Sequence, residues 1–226
     1  MTTQNKIFLF TVVGVALYLL GFSLTEVPPA VEKTFYDGGE VKIISEIKKA
    51  SGTGREIHFY KSGHVEKILR FRGNVQNGLE SHFYPDGKRK SEIPYLNGQK
   101  HGLMHSWYPD GSYLGFAYFK NDHHDRFSKA WHPNGMVRAF ATFENGLQSG
   151  TESQFFPSGQ LKVQGDFVSG KLHGTEKRWH ENGNLKAILH YEQGKVIKIV
   201  SVFDQNGEEL SNIDAKEFFE DNSFDH

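Results

Sequence analysis

The chain has 226 residues and contains no cysteine. This absence excludes disulfide bonds, thiolate zinc sites and a cysteine nucleophile, and it leaves the redox compartment undetermined. An excess of one charge is also lacking, since 26 Lys and Arg residues stand against 27 Asp and Glu residues. Without a basic excess there is no electrostatic basis for binding nucleic acid, which depends on neutralising phosphates. The GxSxG, HExxH and P-loop motifs are missing too, so the sequence predicts neither an enzyme nor a cofactor.

Glycine, in contrast, is abundant and regularly spaced. A small or turn-forming residue followed by glycine recurs every 24 residues, eight times and without insertion or deletion. The eight pairs are Gly38-Gly39, Ser62-Gly63, Asp86-Gly87, Asp110-Gly111, Asn134-Gly135, Ser158-Gly159, Asn182-Gly183 and Asn206-Gly207. A fixed period of roughly 20 to 50 residues indicates a repeat architecture, so residues 30–210 are predicted to form one continuous array.

Each 24-residue unit contains two short segments of alternating apolar and polar residues, separated by turns that contain glycine. This pattern predicts one β-hairpin per repeat. Two columns of mostly aromatic residues, each repeating every 24 positions, are predicted to form the core. The first column comprises Phe35, Phe59, Phe83, Trp107, Trp131, Phe155, Trp179 and Phe203. The second column comprises Ile47, Phe71, Tyr95, Phe119, Phe143, Phe167 and Tyr191.

The first turn of the unit is predicted from its prolines. Pro85 and its equivalents stand just before the turn pair, where proline suits the first position of a type I turn. A three-residue loop with glycine in a G1 bulge would pair Phe59 with Val65 across the hairpin. A two-residue type I′ loop would instead pair Phe59 with Glu66. Apolar cross-strand pairing favours the three-residue loop.

The second turn carries two glycines four residues apart, such as Gly98 and Gly102, which predict two positive-φ positions or a close backbone approach. Together with the aromatic columns and the first turn, this pattern resembles the MORN repeat, and most of all the variant repeats of bacterial proteins that are often labelled antitoxins of toxin–antitoxin systems. The resemblance implies an elongated, all-β antiparallel sheet of about eight tandem hairpins that binds proteins or lipids rather than catalysing a reaction. The sequence departs from the pattern at Asp122, where glycine is expected, and at Arg126 and Lys198, which replace the closing glycine.

An apolar segment precedes the repeats. Residues 7–24 carry no charge over 18 positions, and as a helix they would be roughly 27 Å long, close to the hydrocarbon thickness of a bilayer. This transmembrane or signal helix is either an uncleaved signal anchor or a cleaved signal peptide, and the anchor is favoured because no Ala-x-Ala-like site follows. Lys6 before the segment and Glu26 after it predict that the repeats lie outside the cytoplasm, in the periplasm or extracellular space. Cleavage would make the protein secreted.

The chain is therefore predicted to have three parts. Residues 1–29 are the signal anchor or signal peptide with its linker, residues 30–210 are the MORN-like hairpin array, and residues 211–226 are an acidic tail. The tail is predicted to be either a short capping helix over the open edge of the last hairpin, carrying Phe218 and Phe219, or a disordered segment.

Beside the first column runs a second line of rings, which we call the ladder. The ladder comprises Tyr36, Tyr60, Tyr84, Tyr108, His132, Phe156 and His180. Strand alternation predicts that it lies on the face opposite the first column. A ladder with steps of about 10 Å could bind an extended peptide or glycan, or could pack as a second hydrophobic layer.

Two polar patterns are predicted to be structural. The turn at residues 122–125 is rich in His and Asp, and the lack of a fixed ligand spacing favours a polar turn over a metal site. A column of glutamates is predicted to form a solvated charge ladder with cations on the neighbouring strand. The glutamates are Glu32, Glu56, Glu80, Glu152 and Glu176, and the cations are Lys42, Lys90, Arg138, Lys162 and Lys186.

These features predict a non-enzymatic, membrane-anchored scaffold whose repeats bind a protein partner or a membrane surface. One alternative is a cell-envelope module that binds glycan through the ladder. The other is an antitoxin-like protein, which would need a toxic partner.

Overall fold

The computed structural model describes residues 29–210, and this part of the chain forms one all-β sheet. Its strands are β1 (Ala30–Phe35), β2 (Val41–Lys48), β3 (Thr53–Phe59), β4 (Val65–Arg72), β5 (Val75–Gln76), β6 (Gly78–Phe83), β7 (Arg89–Leu96), β8 (Gln99–Lys100), β9 (Gly102–Trp107), β10 (Tyr113–Lys120), β11 (His123–Trp131), β12 (Val137–Glu144), β13 (Leu147–Gln148), β14 (Gly150–Phe155), β15 (Leu161–Val168), β16 (Lys171–Leu172), β17 (Gly174–Trp179), β18 (Leu185–Glu192) and β19 (Lys195–Val202).

Strands that follow one another in sequence pair antiparallel, so the array is an elongated meander of hairpins. The two-residue strands β5, β8, β13 and β16 each pair with the preceding long strand, and the strand that follows pairs with that same long strand. The predicted antiparallel hairpin array is confirmed. Among the described residues no helix is long and apolar enough to cross a membrane. The helices predicted at residues 7–24 and 211–226 lie outside the described part.

The first turn is the predicted three-residue loop with a G1 bulge. Phe59 pairs with Val65, and the Tyr60 N–H donates to the His64 carbonyl at 2.9 Å. Gly63 has φ 85°, whereas Ser62 has a negative φ, so the turn is not type I′, which needs two positive values. Next to the turn, the cross-strand pairing of β3 with β4 shifts by one residue between His58 and Phe59.

That shift leaves one residue per repeat without a cross-strand partner, because His58 pairs with Lys67 and Phe59 with Val65. Glu66 and its equivalents therefore occupy a bulge. We call these positions the bulge column, which comprises Lys42, Glu66, Lys90, Leu114, Arg138, Lys162 and Lys186.

The second turn has the two predicted positive-φ positions. Asn97 and Gly98 have φ values of 50° and 82°, which is the type I′ backbone, and Gly102 follows at 116°. Asp122 and Arg126 keep this backbone without being glycine, at 67° and 63°. Each carries a strain of roughly 1–2 kcal/mol in the left-handed region.

The strand register divides the side chains between two faces. The Trp face carries the first column, and the Glu face carries the glutamates and the second column, since Glu56 pairs with Leu69 and Gly54 with Phe71. The prediction that the two columns form the core is therefore wrong in part, because they lie on opposite faces of a single layer. Most of their side chains are half-buried, and Phe35 is 55% exposed. Alternation predicts which residues share a face, but not whether a second layer covers that face.

The most buried cluster lies at the C-terminal end of the Glu face. Ala187 and Leu189 are fully buried there, and Tyr191 and Val202 pack beside them. Leu172, Val196 and Ile199 complete this cluster.

Candidate functional site

The ladder links each repeat to the next through hydrogen bonds to the main chain. The hydroxyls of Tyr36, Tyr60, Tyr84 and Tyr108 donate to the carbonyl oxygens of Phe59, Phe83, Trp107 and Trp131 at 2.7, 2.8, 2.8 and 2.9 Å. The Nε2 atoms of His132 and His180 lie 2.8 and 3.0 Å from the carbonyl oxygens of Phe155 and Phe203. Phe156 has no donor. The ladder therefore has a structural role, and its role in binding stays a prediction.

Cations of the bulge column lie over the ladder rings. The Nζ atoms of Lys42, Lys90 and Lys162 stand 5.6, 5.7 and 5.8 Å from the ring centroids of Tyr36, Tyr84 and Phe156. For these three cations the predicted charge ladder with the glutamates is wrong, since none of them forms an ion pair with a glutamate among the described residues. The bulge displaces the cations from the paired positions, and they meet the rings instead.

Two members of the glutamate column are buried in the Glu face rather than solvated, whereas Glu32 is exposed. Glu80 and Glu176 are 8% and 4% exposed. The carboxylate of Glu176 accepts a hydrogen bond from Arg178 Nε at 2.5 Å, and Glu80 accepts hydrogen bonds from His82 and Gln76. Buried carboxylates need such donors, because an unpaired buried charge is costly.

These donors also set the ionisation of Glu80. Burial alone would raise the pKa of its carboxyl. The hydrogen bonds from His82 and Gln76, with the nearby charges of His82 and Lys67, outweigh burial and lower that pKa below its usual value. The sequence carries a signal for this arrangement: His, Gln or Arg stands two residues after four of the five glutamates, namely at His58, His82, Gln154 and Arg178.

A groove crosses the middle of the Glu face. In the flanking repeats a glutamate and its polar partner lie on this face. In one central repeat Met104 and Ser106 stand in their place, and in the next repeat the pair is Ser128 and Ala130. The residues that pair with Ser128 and Ala130 are also small, namely Gly115, Ala117, Ala139 and Ala141.

The groove consists of two adjoining cavities of about 580 Å³ and about 340 Å³. Both are lined by Arg138, Ala139 and Glu152, so they lie side by side. The larger cavity lies beside two of the glutamate pairs, Glu152–Gln154 and Glu176–Arg178, and Lys162 is also in its wall. The groove therefore combines apolar lining residues with a wall of three cations, Arg138, Lys162 and Arg178, and two carboxylates, Glu152 and Glu176.

The Trp face carries a continuous aromatic cluster in the same central repeats. The ring centroids of Trp107 and Tyr113 are 5.8 Å apart, and those of Tyr113 and Trp131 are 5.3 Å apart. Phe116 then connects Trp131 to Phe127 at 5.6 and 5.7 Å. Rings at these separations and angles attract each other and hold their positions.

The edge of this cluster is open to solvent. Phe127 is 40% exposed and Phe140, on the next strand, is 37% exposed. Lys129 places its Nζ 5.2 Å from the Trp131 ring. His105 and the Tyr113 hydroxyl form a hydrogen bond of 2.6 Å, and burial raises the pKa of Tyr113. We call Trp107, Tyr113, Phe116, Phe127, Trp131 and Phe140 the aromatic patch.

The His-rich turn is held by packing and by backbone contacts. His124 lies between Phe119 and Phe143, with ring centroids 4.3 and 4.8 Å away. Burial, with the charge of Lys100, lowers its pKa. Asp122 accepts a hydrogen bond from the Lys100 N–H at 2.9 Å. Within residues 29–210 no group of three or more His, Asp or Glu side chains is placed to hold a metal ion.

Comparison with known families supports the repeat assignment. The model of the MORN repeat variant matches residues 76–97, 148–169 and 172–193. No curated protein matches the chain. Each matched segment begins at the end of a second turn and runs through one whole hairpin, namely β6–β7, β14–β15 or β17–β18. The chain thus carries MORN-variant repeats at these three segments.

Proposed function

We propose that the protein is a non-enzymatic scaffold that binds a protein partner through the aromatic patch on its Trp face. MORN repeats are in general modules that bind proteins or membrane surfaces. The observation that carries the proposal is the exposure of Phe127 and Phe140 beside two tryptophans and a tyrosine. Exposed apolar surface of this kind is typical of an interface.

The composition of the patch suits protein recognition. Trp and Tyr are enriched among residues that dominate binding energy, and they bring large contact areas with few rotatable bonds. The rings of Trp131 and Phe116 already contact each other, so they lose little conformational entropy when a partner covers them. Lys129 and His105 add polar groups at the rim of the patch, where they can fix the orientation of a partner.

The scaffold is further proposed to be held at a membrane by residues 7–24, with the repeats outside the cytoplasm. The support is the uncharged run of 18 residues and the position of Lys6 before it. If the segment is cleaved, the same repeats would act as a secreted protein.

The test is a crosslinked pull-down of the full-length protein from native membranes, read by mass spectrometry. The variant Phe127→Ala/Phe140→Ala removes the exposed edge of the patch. The control Leu96→Ala/Val168→Ala removes side chains that are 46% and 53% exposed but lie in other repeats. We expect one dominant protein partner that the first variant loses and the control keeps. Recovery of glycan or lipid without a protein would refute the proposal, and a small toxic protein as partner would favour the antitoxin instead.

A further inference from the structure

The groove on the Glu face has the chemistry to hold an acidic polypeptide segment with aromatic side chains. We propose that it binds the acidic tail of the same chain, residues 211–226, so that the tail covers the central repeats of the Glu face. This inference does not depend on the aromatic patch, which lies on the opposite face.

The floor of the groove leaves room for large apolar side chains. Ala139 lines both cavities, and in the smaller cavity Ser128 and Ala130 replace the glutamate pair of the flanking repeats. The larger cavity, of about 580 Å³, exceeds the volume of one aromatic side chain several-fold. Burying a Phe ring in such a site removes about 150–250 Å² from water.

The wall of the groove favours negative charge. Arg138 and Lys162 are exposed and, within residues 29–210, form no ion pair. The carboxylates of the same wall are already held, since Glu176 accepts from Arg178, and Glu152 accepts from Gln148 and Gln154 at 2.8 and 2.9 Å. Burial, and then the charges of Arg178 and Lys162, lower the pKa of Lys186, so these cations repel one another. An anionic segment would relieve that repulsion.

The tail has the complementary chemistry. Its acidic residues are Asp214, Glu217, Glu220, Asp221 and Asp225, against a single Lys216. Phe218 and Phe219 lie in the middle of this acidic stretch. The segment therefore presents two rings for the floor of the groove and flanking carboxylates for Arg138 and Lys162.

The tail also starts close enough to reach the groove. The Leu210 N–H donates to the Val202 carbonyl at 2.8 Å, so the chain leaves the sheet beside Val202. Val202 belongs to a row that continues across paired strands through Ala187 and Arg178 to Val163 in the groove. From Leu210 to Val163 this path crosses four strand spacings of about 4.8 Å, which give a distance of about 20 Å. The eight residues from Leu210 to Phe218 extend to about 26 Å.

The test places a photo-crosslinking amino acid at Phe218 in the purified full-length protein. Crosslinked peptides are mapped by mass spectrometry, and a denaturing gel separates crosslinks within one chain from those between two chains. We expect crosslinks within one chain to residues 138–165 of the Glu face. The variant Arg138→Glu/Lys162→Glu should lower their yield about tenfold, because two ion pairs become repulsive.

Two further variants keep the test decisive. Lys171→Glu/Lys177→Glu reverses two exposed cations on the Trp face and should leave the yield unchanged. Adding Glu220→Lys/Asp221→Lys to the groove variant restores opposite charges and should recover the crosslinks, which a merely misfolded groove would not allow. Crosslinks to other regions, crosslinks between chains that rise with concentration, or a yield indifferent to these charges would each overturn the proposal.

Discussion

The ladder hydrogen bonds can be tested by removing one and creating another. Tyr84→Phe removes the hydroxyl that donates to the Trp107 carbonyl at 2.8 Å. Phe156→Tyr adds a hydroxyl at the one ladder position that lacks a donor, opposite the Trp179 carbonyl 23 residues later. The two sites are well matched, because the Nζ atoms of Lys90 and Lys162 cover these two rings at 5.7 and 5.8 Å.

The expected magnitude follows from the surroundings of the bond. A neutral hydrogen bond contributes about 0.5–1.5 kcal/mol net, and the half-buried Tyr84 leaves a carbonyl that water can partly rehydrate. We therefore expect a loss of about 1 kcal/mol for Tyr84→Phe and a gain of similar size for Phe156→Tyr. For a chain of this length each corresponds to a shift of roughly 2–4 °C in Tm.

Urea unfolding followed by tryptophan fluorescence and by circular dichroism measures both changes. Trp107 and Trp179 lie at the altered bonds, so their fluorescence reports on the repeats concerned, whereas circular dichroism reports on the whole array. Using two probes matters because repeat arrays do not always unfold in one step. If both variants unfold at the wild-type midpoint, or both shift in the same direction, the ladder bonds do not stabilise the array.

The other stability predictions concern the core, the Glu face and the second turn. Trp131→Ala should lower the free energy of unfolding by about 2–3 kcal/mol, somewhat less than for a fully buried ring, and an unchanged Tm would contradict the packing described for the patch. The lowered pKa of Glu80 means that its ionised form stabilises the fold fully above its usual pKa of 4.5 and that this stability is lost as the pH falls through the lower folded-state value. Glu80→Gln should flatten the acid limb of urea midpoints measured against pH, and an identical pH profile would argue against the buried carboxylate. Gln193→Asn should stabilise the protein by about 0.5 kcal/mol, since Asn tolerates the left-handed backbone better, and Asn145→Gln should cost the same, because both residues have φ 51°.

The local backbone of the repeat could be predicted from the sequence, because it depends on residues close together in the chain. Pro85 and Gly87 determine a type I turn with a G1 bulge, and the apolar character of Val65 selects its register. The paired glycines of the second turn likewise predict positive φ at Gly98 and Gly102. These inferences need only turn chemistry and cross-strand pairing.

The burial of individual columns could not be predicted in the same way. A period of 24 residues shows which positions are equivalent, but the bulge at Glu66 adds a residue that moves the neighbouring cations out of the pairing. Glutamate is also rarely buried, so composition alone favoured a solvated column over the buried position of Glu176. Reading each glutamate together with the residue two positions later would have revealed the donors that make burial tolerable.

A repeat that lacks the usual residue at a column position can be interpreted only once the structural role of that column is known. Where a column is structural, as with the glutamate pairs of the Glu face, a repeat that abandons the pattern gives up a stabilising contact. Ser128 and Ala130 do so in the centre of the array, and the small residues opposite them do not fill the space. The crosslinking of Phe218 tests whether a segment of the chain occupies this space.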